Sequence, residues 1–240
     1  MEGCGTMGKV FDPSLIFEFI PTLLKYLGVT IEILVASILF GTIIGIMAAL
    51  PKLFHIPILK QIVTLYISFI RGTPIIIQLF LVFYGLPEVL MLINIDITRM
   101  DALFFVIITY SLSNGAIFAE IFRSAIIAVD YEQTEAAYSI GMTPFQNFTR
   151  IIFPQAIRVA FPNIANRVIG SLKDTSLAFT IGVMDMMGRG ETIIAATAHA
   201  LEVYIALAVI YYVIVLLIEK GFRVFEKHAN RYRETDVSTV

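Results

Sequence analysis

Apolar residues fall into five long blocks separated by shorter polar stretches. The first runs from about Phe19 to Leu50, interrupted only by Lys25 and Glu32 near its start, with Pro51 reading as its stop. The second runs from about Ile56 to Leu86 and contains Arg71. The third, from about Ala102 to Val129, holds Asn114, Glu120 and Arg123. After a polar stretch, a fourth runs from about Phe161 to Met187, interrupted by Lys173-Asp174-Thr175-Ser176. The fifth covers about Leu201 to Ile218, and a charged tail ends the chain. A block of about 18 or more apolar residues reads as a membrane span. Backbone groups in lipid must bond within their own segment, so spans of this length are helices. The alternating ten-residue segments of a membrane barrel are not present. The pattern predicts an all-α membrane protein with about five transmembrane helices.

Lysines and arginines orient such a bundle, because they accumulate on the cytoplasmic side. One set of connecting segments holds Lys52, Lys60, Arg123, Arg150, Arg158, Arg167, Lys220, Arg223, Lys227, Arg231 and Arg233; the other holds only Lys9, Lys25, Arg99 and Arg189. The bias predicts the N-terminus outside and the C-terminus inside, with the polar loop 130–158 in the cytoplasm. The organisation expected is an extracytoplasmic segment 1–18, a transmembrane domain 19–218 and a cytoplasmic tail 219–240.

Composition agrees: 58% of residues are hydrophobic and 15% charged, against about 25% charged in a soluble domain. A net charge of −2 gives no basic field for nucleic acid. The single cysteine, Cys4, excludes a disulfide framework and a cysteine-built metal site. The first ten residues lack the apolar core of a signal peptide. No spacing of His, Cys and carboxylates suits a metal, and His55, His199 and His228 form no hydrolytic triad. No Gly-x-x-x-x-Gly-Lys-Ser/Thr loop is present to bind ATP.

The loop 130–158 carries the most specific pattern. Glu132 to Ile140 is helix-forming, and Gly141 can end that helix in the left-handed conformation. Thr143 then suits an N-cap and Pro144 the first helical position of a second helix. Phe145, Phe148, Ile151 and Ile152 follow at helical spacing. Two short helices hinged at a glycine make a knob suited to docking in a groove of a partner. The residues Glu135-Ala136-Ala137, then Gly141 four positions on, then Ile151-Ile152-Phe153-Pro154, resemble the E-A-A, x3, G, x9, I-x-L-P motif of permease subunits in ABC importers. Phe153 replaces the usual leucine.

Charges inside a span cost about 2.5–3.5 kcal/mol on insertion scales and mark functional candidates. Arg71-Gly72-Thr73-Pro74 interrupts the second block, because Pro74 removes a ladder hydrogen bond and Gly72 loosens the helix. Arg71 either meets a substrate carboxylate or pairs with an acid on a neighbouring helix. Ser111, Ser113 and Asn114 precede Glu120, which either pairs with Arg123 three residues on or meets a cationic substrate group. Lys173-Asp174-Thr175-Ser176 predicts unwound backbone facing a cavity, with the two charges near enough to neutralise each other. Glu202, at the start of the fifth span, reads as a solvated surface residue, and Gly41-x-x-x-Gly45 as simple packing or a close helix contact.

Residues 69–74 and 173–176 also resemble the polar amino-acid branch of these permeases. The resemblance implies a type I ABC importer permease fold in a bacterial cytoplasmic membrane, with no catalytic residue and no cofactor in this chain. ATP and magnesium would be held by two separate ATPase subunits docked on the loop through Glu135, Ala136, Ala137, Gly141, Pro144, Ile151 and Pro154. Further implied partners are a second permease, identical or homologous, and an extracytoplasmic amino-acid-binding protein. Substrate contacts are expected from Arg71, Gly72, Thr73, Pro74, Asn114, Glu120, Lys173, Asp174, Thr175 and Ser176. An acid surplus to recognition of the amino-acid backbone suggests a basic cargo such as arginine, lysine or histidine, with glutamine, glutamate or another polar amino acid as the competing choice and an ion-coupled secondary amino-acid transporter as the competing class.

Overall fold

The computed structural model describes residues 10–230, all of whose regular elements are helical. Cys4 and Lys9 before them, and Arg231 and Arg233 after them, lie outside the described residues. The helices are α1 (Pro13–Leu24), α2 (Leu27–Leu53), α3 (Pro57–Gly72), α4 (Ile75–Phe80), α5 (Leu86–Met91), α6 (Ala102–Ile127), α7 (Tyr131–Ser139), α8 (Pro144–Asn147), α9 (Phe153–Asp174), α10 (Met186–Thr197) and α11 (Ala200–Asn230). π-Helical turns at Leu81–Gly85 and Phe148–Ile152 join α4 to α5 and α8 to α9. A 3-10 segment, Thr175–Ile181, continues α9 and ends at Gly182, whose φ is +93°.

The first apolar block is two helices, not one. Lys25 and Tyr26 break it: Tyr26 leaves the helical region at ψ 0°, and its N–H turns back to the Leu23 carbonyl. This frees α1 to pack across α10 and α11, where Phe19 and Leu23 join Met186, Ile193, Val203 and Leu207 in a buried cluster. The expected boundary at residue 18 falls inside α1, and that at 218 falls inside α11. Pro51 does not stop α2. It sits in the last turn, which closes when Phe54 N donates to Leu50 O.

The central pair is α2 and α6. Gly41 meets the level of Ser111 and Asn114, Gly45 that of Phe118, and Lys52 that of Glu120, so the two helices run parallel. Glycine is required here: a Cβ on Gly41 would stand 2.5 Å from the Asn114 Cβ, and one on Gly115 would stand 2.5 Å from Ile44. The Gly41/Gly45 spacing is therefore a true close contact between spans. α9 also packs on α6, antiparallel to it, and touches α2. Ala156 and Ala160 pack on Ala125 near one end, and Arg167 and Ser171 reach Asn114 further along. The end of α11 returns to the start of α9, where Phe161 stacks on Phe225 and meets Phe222 edge-on. The bundle thus has two ends: one carries Lys52, α7, α8 and the last turns of α11, and the other carries α1, α10 and the 92–101 loop.

Among the described residues, α2, α6 and α11 are long and apolar enough to cross a membrane alone, with the bent stretch from Pro57 to Met91 as a fourth. The count of about five expected from hydropathy is thus three or four by this measure. The fourth block is the exception. Its helix begins earlier, at Phe153, carries Arg158, Asn163, Asn166, Arg167 and Asp174, and then tightens to 3-10 form.

Candidate functional site

The knob forms as its residues demand. Asp130 caps α7 by accepting from Glu132 N. At the other end Gly141, φ +82°, donates to Tyr138 O and Met142 N donates to Ala137 O, a pair of bonds that satisfies the terminal carbonyls. Thr143 and Gln146 then form a reciprocal capping box over the first turn of α8, with Pro144 at its start. The second helix is not short: through the π-turn it continues into α9 as far as Asp174. Gln155 donates to Gln133 and ties α7 to α9. Glu135, Ala136 and Pro144 are exposed, Ala137 is buried, and Ile151 and Pro154 are half-buried. Ile140 and Phe145 stand 75% and 76% exposed at the tip, and apolar exposure of that kind on a capped, ordered element marks a contact surface.

At 71–74 the chain turns by 116°. Thr73 and Pro74 are extended, at ψ 142° and 141°, as the residue before a proline prefers. The carbonyls freed by the bend are met by a residue the sequence did not single out. Gln78 is buried and donates to Ile70 O at 2.8 Å and Thr73 O at 3.0 Å. Arg71, Gly72 and Pro74 are exposed, and Arg71 makes no ion pair among the described residues.

Halfway along α6 lies a polar cluster. Asn114 is fully buried, and its Oδ1 accepts from Arg167 Nε at 2.6 Å and Ser171 Oγ at 2.7 Å. Arg167 lies 3.4 Å from Asp174 and 3.5 Å from Ser113 Oγ. Tyr110 donates to the Asp174 backbone oxygen at 2.8 Å. The structure therefore joins Asn114 to Asp174 and recruits Arg167, which the charge count had assigned to a cytoplasmic segment. The pairing expected between Lys173 and Asp174 is absent: adjacent residues on a helix diverge, so Asp174 meets Arg167 on the inner face and Lys173 is exposed. The backbone is also not unwound at 173–176. Thr175 is buried with its hydroxyl on Leu172 O, and Ser176 bonds Lys173 O, in a tightened 3-10 turn. No hydrogen bond or ion pair joins residues 71–74 to this cluster among the described residues.

Glu120 lies nearer the knob and is held on both sides. Lys52 of α2 and Arg123, the latter at 2.9 Å, flank its carboxylate. The geometry is that of an internal ion pair, and the inference of a basic cargo loses the acid on which it leaned. Glu202 departs from expectation too. It is 2% exposed, and its Oε1 binds the Asp12 backbone N–H and His199 Nδ1, each at 3.0 Å. It pins the start of α1 to the start of α11, a role visible only once the fold brings residues 12 and 202 together.

Known proteins share this architecture. The profile of the family described as "Binding-protein-dependent transport system inner membrane component" matches residues 41–231. The chain is 53% identical to the L-cystine transport system permease protein TcyL of Bacillus subtilis (strain 168), over 98% of each chain. It is 34% identical to the glutamine transport system permease protein GlnP of Escherichia coli (strain K12), over 90% of this chain and 97% of that one. Among solved structures, a crystal structure of an amino acid ABC transporter with histidines superposes with TM-score 0.81 at 31% identity, covering 92% of this chain and 100% of that one. The fold is that of the type I ABC importer permeases.

Proposed function

Because the chain belongs to the family of binding-protein-dependent transport system inner membrane components, as a membrane-embedded permease subunit of an amino-acid ABC importer, we propose that it moves a cystine-like amino acid inward and is driven through the 130–158 knob by a separate ATPase subunit. The N-terminal face is outside and the knob is cytoplasmic, the orientation expected from the excess of lysines and arginines in the segments on the knob side. Two such permeases, identical or homologous, enclose the path. An ATPase pair docks on the knobs, and an extracytoplasmic binding protein delivers cargo to the opposite end. ATP shifts the equilibrium between inward- and outward-open forms by binding one better than the other, and this chain transmits that difference.

The exposed, doubly capped knob tip carries this reading. Ile140 and Phe145 are held rigidly yet buried against nothing in their own chain. Phe145→Asp should abolish ATP-driven uptake and loosen co-purification of the ATPase subunit without lowering the thermal stability of the permease. Unchanged uptake and co-purification would remove the knob from the account.

Cystine is favoured as cargo by the relative that is 53% identical. A second reading, a basic amino acid such as arginine, lysine or histidine, draws support from the solved amino acid ABC transporter with histidines. Uptake of labelled L-cystine into vesicles, with excess unlabelled glutamine, arginine or histidine as competitor, separates them.

A further inference from the structure

Where α2 gives way to α3 the surface carries a groove of about 740 Å³, whose lining includes His55, Lys60, Gln61, Thr64, Leu65 and Ser68. The 27 residues of α2 reach about 40 Å at 1.5 Å per residue, more than a bilayer core of about 30 Å. The turn after α2 therefore lies at headgroup level, at the end of the bundle that carries Lys52 and the knob. No carboxylate lines the groove. Lys52 is committed to Glu120, but Lys60 makes no ion pair among the described residues. His55 stands at φ +56°, the left-handed position after a helix end where glycine is usual. A side chain holds that conformation at a cost, and here it keeps an imidazole at the rim, with Nδ1 3.1 Å from Leu53 O. The α3 surface is divided into three. Val63, Tyr66, Ile67 and Ile70 pack inward with Ala48, Ala116 and Ala119. Lys60, Gln61, Thr64 and Ser68 share a second face, and Ile58, Ile62 and Leu65 lie exposed on a third beside it. Thr64 satisfies its hydroxyl on Lys60 O at 2.7 Å, so below the two basic side chains the groove carries no further charge.

We propose that this groove holds the phosphate headgroup of an anionic phospholipid. Lys60 and protonated His55 supply the counter-charges, Gln61 donates to a phosphate or glycerol oxygen, and one acyl chain runs along Ile58, Ile62 and Leu65. Basic pockets beside membrane helices on the cytoplasmic side suit such headgroups. A lipid is favoured over a free phosphate because the apolar track begins where the cations end, and a free ion has no use for it. An anionic lipid is favoured over a zwitterionic one because no carboxylate lines the groove to receive a choline or ethanolamine group. The bound lipid braces the corner between α2 and α3, and a ligand that binds only the folded chain stabilises it by mass action. The site stands apart from the knob and from the buried cluster at Asn114, and it goes beyond the importer reading without depending on it.

The test is thermal unfolding of the full-length chain in a neutral detergent at pH 6. It is titrated with phosphatidylglycerol, with phosphatidylcholine, or with inorganic phosphate at matched ionic strength. Phosphatidylglycerol should raise the unfolding midpoint saturably, and the other two should not. Lys60→Gln should raise the half-saturating mole fraction about fivefold, as losing one cation near an anionic surface does, and Lys60→Arg should keep it near the wild-type value. His55→Gly relieves the left-handed strain, so it should keep or raise the lipid-free midpoint and still weaken the response to phosphatidylglycerol. It decides the matter alone if Lys60→Gln does not fold. Lys220→Gln, exposed on α11, should respond as the wild type, which separates a site from general attraction to a charged micelle. The proposal fails if phosphatidylcholine or phosphate matches phosphatidylglycerol, or if Lys220→Gln loses as much as Lys60→Gln. It fails also if folded Lys60→Gln and His55→Gly keep the wild-type half-saturation. None of these readouts involves uptake, so loss of ATP-driven uptake in the wild type would overturn the importer reading alone.

Discussion

At Gly45 an added Cβ would stand 2.6 Å from the Cβ of Phe118 and 3.2 Å from two backbone atoms of α6. Backbone cannot step aside as a flexible side-chain tip can, so Gly45→Val should force α2 from α6 at a cost of about 1–3 kcal/mol. A lowered midpoint of thermal unfolding in detergent would show it, and Gly28→Ala, where nothing lies within 4 Å, should leave that midpoint near the wild-type value. Gln78→Leu strips the α3 carbonyls of their donor, and each buried group left unmade costs about 1–3 kcal/mol. It should therefore lower stability and loosen the bend, seen as faster hydrogen exchange at residues 70–74. Glu120→Gln offers a different contrast. Lys52 and Arg123 flank the carboxylate, so the variant should lose stability while its preference among cystine, glutamine and arginine stays unchanged. A shift in preference would return Glu120 to the substrate path. Gly141 and Asn114 were legible in the sequence because each has a demand that few residues meet: a left-handed φ, and a polar amide inside an apolar span. Arg167 and Gln78 were not. An arginine close to a loop looks like any interfacial charge, and a glutamine in an apolar run announces no partner until the chain bends back to meet it.

Elements were legible where local chemistry decides them. The α7 stop at Gly141 and the α8 start at Thr143-Pro144 follow from the residues alone. The break between α1 and α2 was hidden because no proline or glycine marks Lys25-Tyr26; packing of Phe19 and Leu23 against α11 decides it. Pro51 misled in the opposite sense, since a proline in a last turn forfeits one bond without ending the helix. The same logic predicts that Gly141→Asp, which must hold φ near +82° at a cost of about 1–2 kcal/mol, frays the end of α7 and lowers coupled uptake. The α2–α6 pair should remain intact, so near-wild-type unfolding with impaired uptake is the expected signature.

For the whole molecule, the contacts place the start of α1 and the end of α11 at opposite ends of the bundle, and the charge bias predicts that the knob end is inside. On a Cys4→Ala background, Leu92→Cys, 83% exposed in the loop far from the knob, should react with a membrane-impermeant maleimide on intact cells. Phe145→Cys should react only after the membrane is opened. The reverse result would invert the topology. Fewer described helices meet the length and hydropathy of a single span than there are apolar blocks, because α9 is polar on the face it turns to α6 and the stretch from Pro57 to Met91 is bent in its middle.

The continuity of the second knob helix with α9 has a mechanical meaning. From Pro144 to Asp174 the chain is helical without a break in register other than one π-turn, about 46 Å at 1.5 Å per residue. One end bears Phe145, where a nucleotide-driven partner would push, and the other bears Asp174. Such a piece acts as a connecting rod: thrust at its foot arrives at its head as displacement, with no relay of side chains between. The π-turn, whose extra residue widens one turn, is one joint in the rod and begins three residues after Phe145; Pro162, which forfeits a ladder bond inside α9, is a second. Motion absorbed at the π-turn would stay near the knob, and only what passes both joints would reach Asp174.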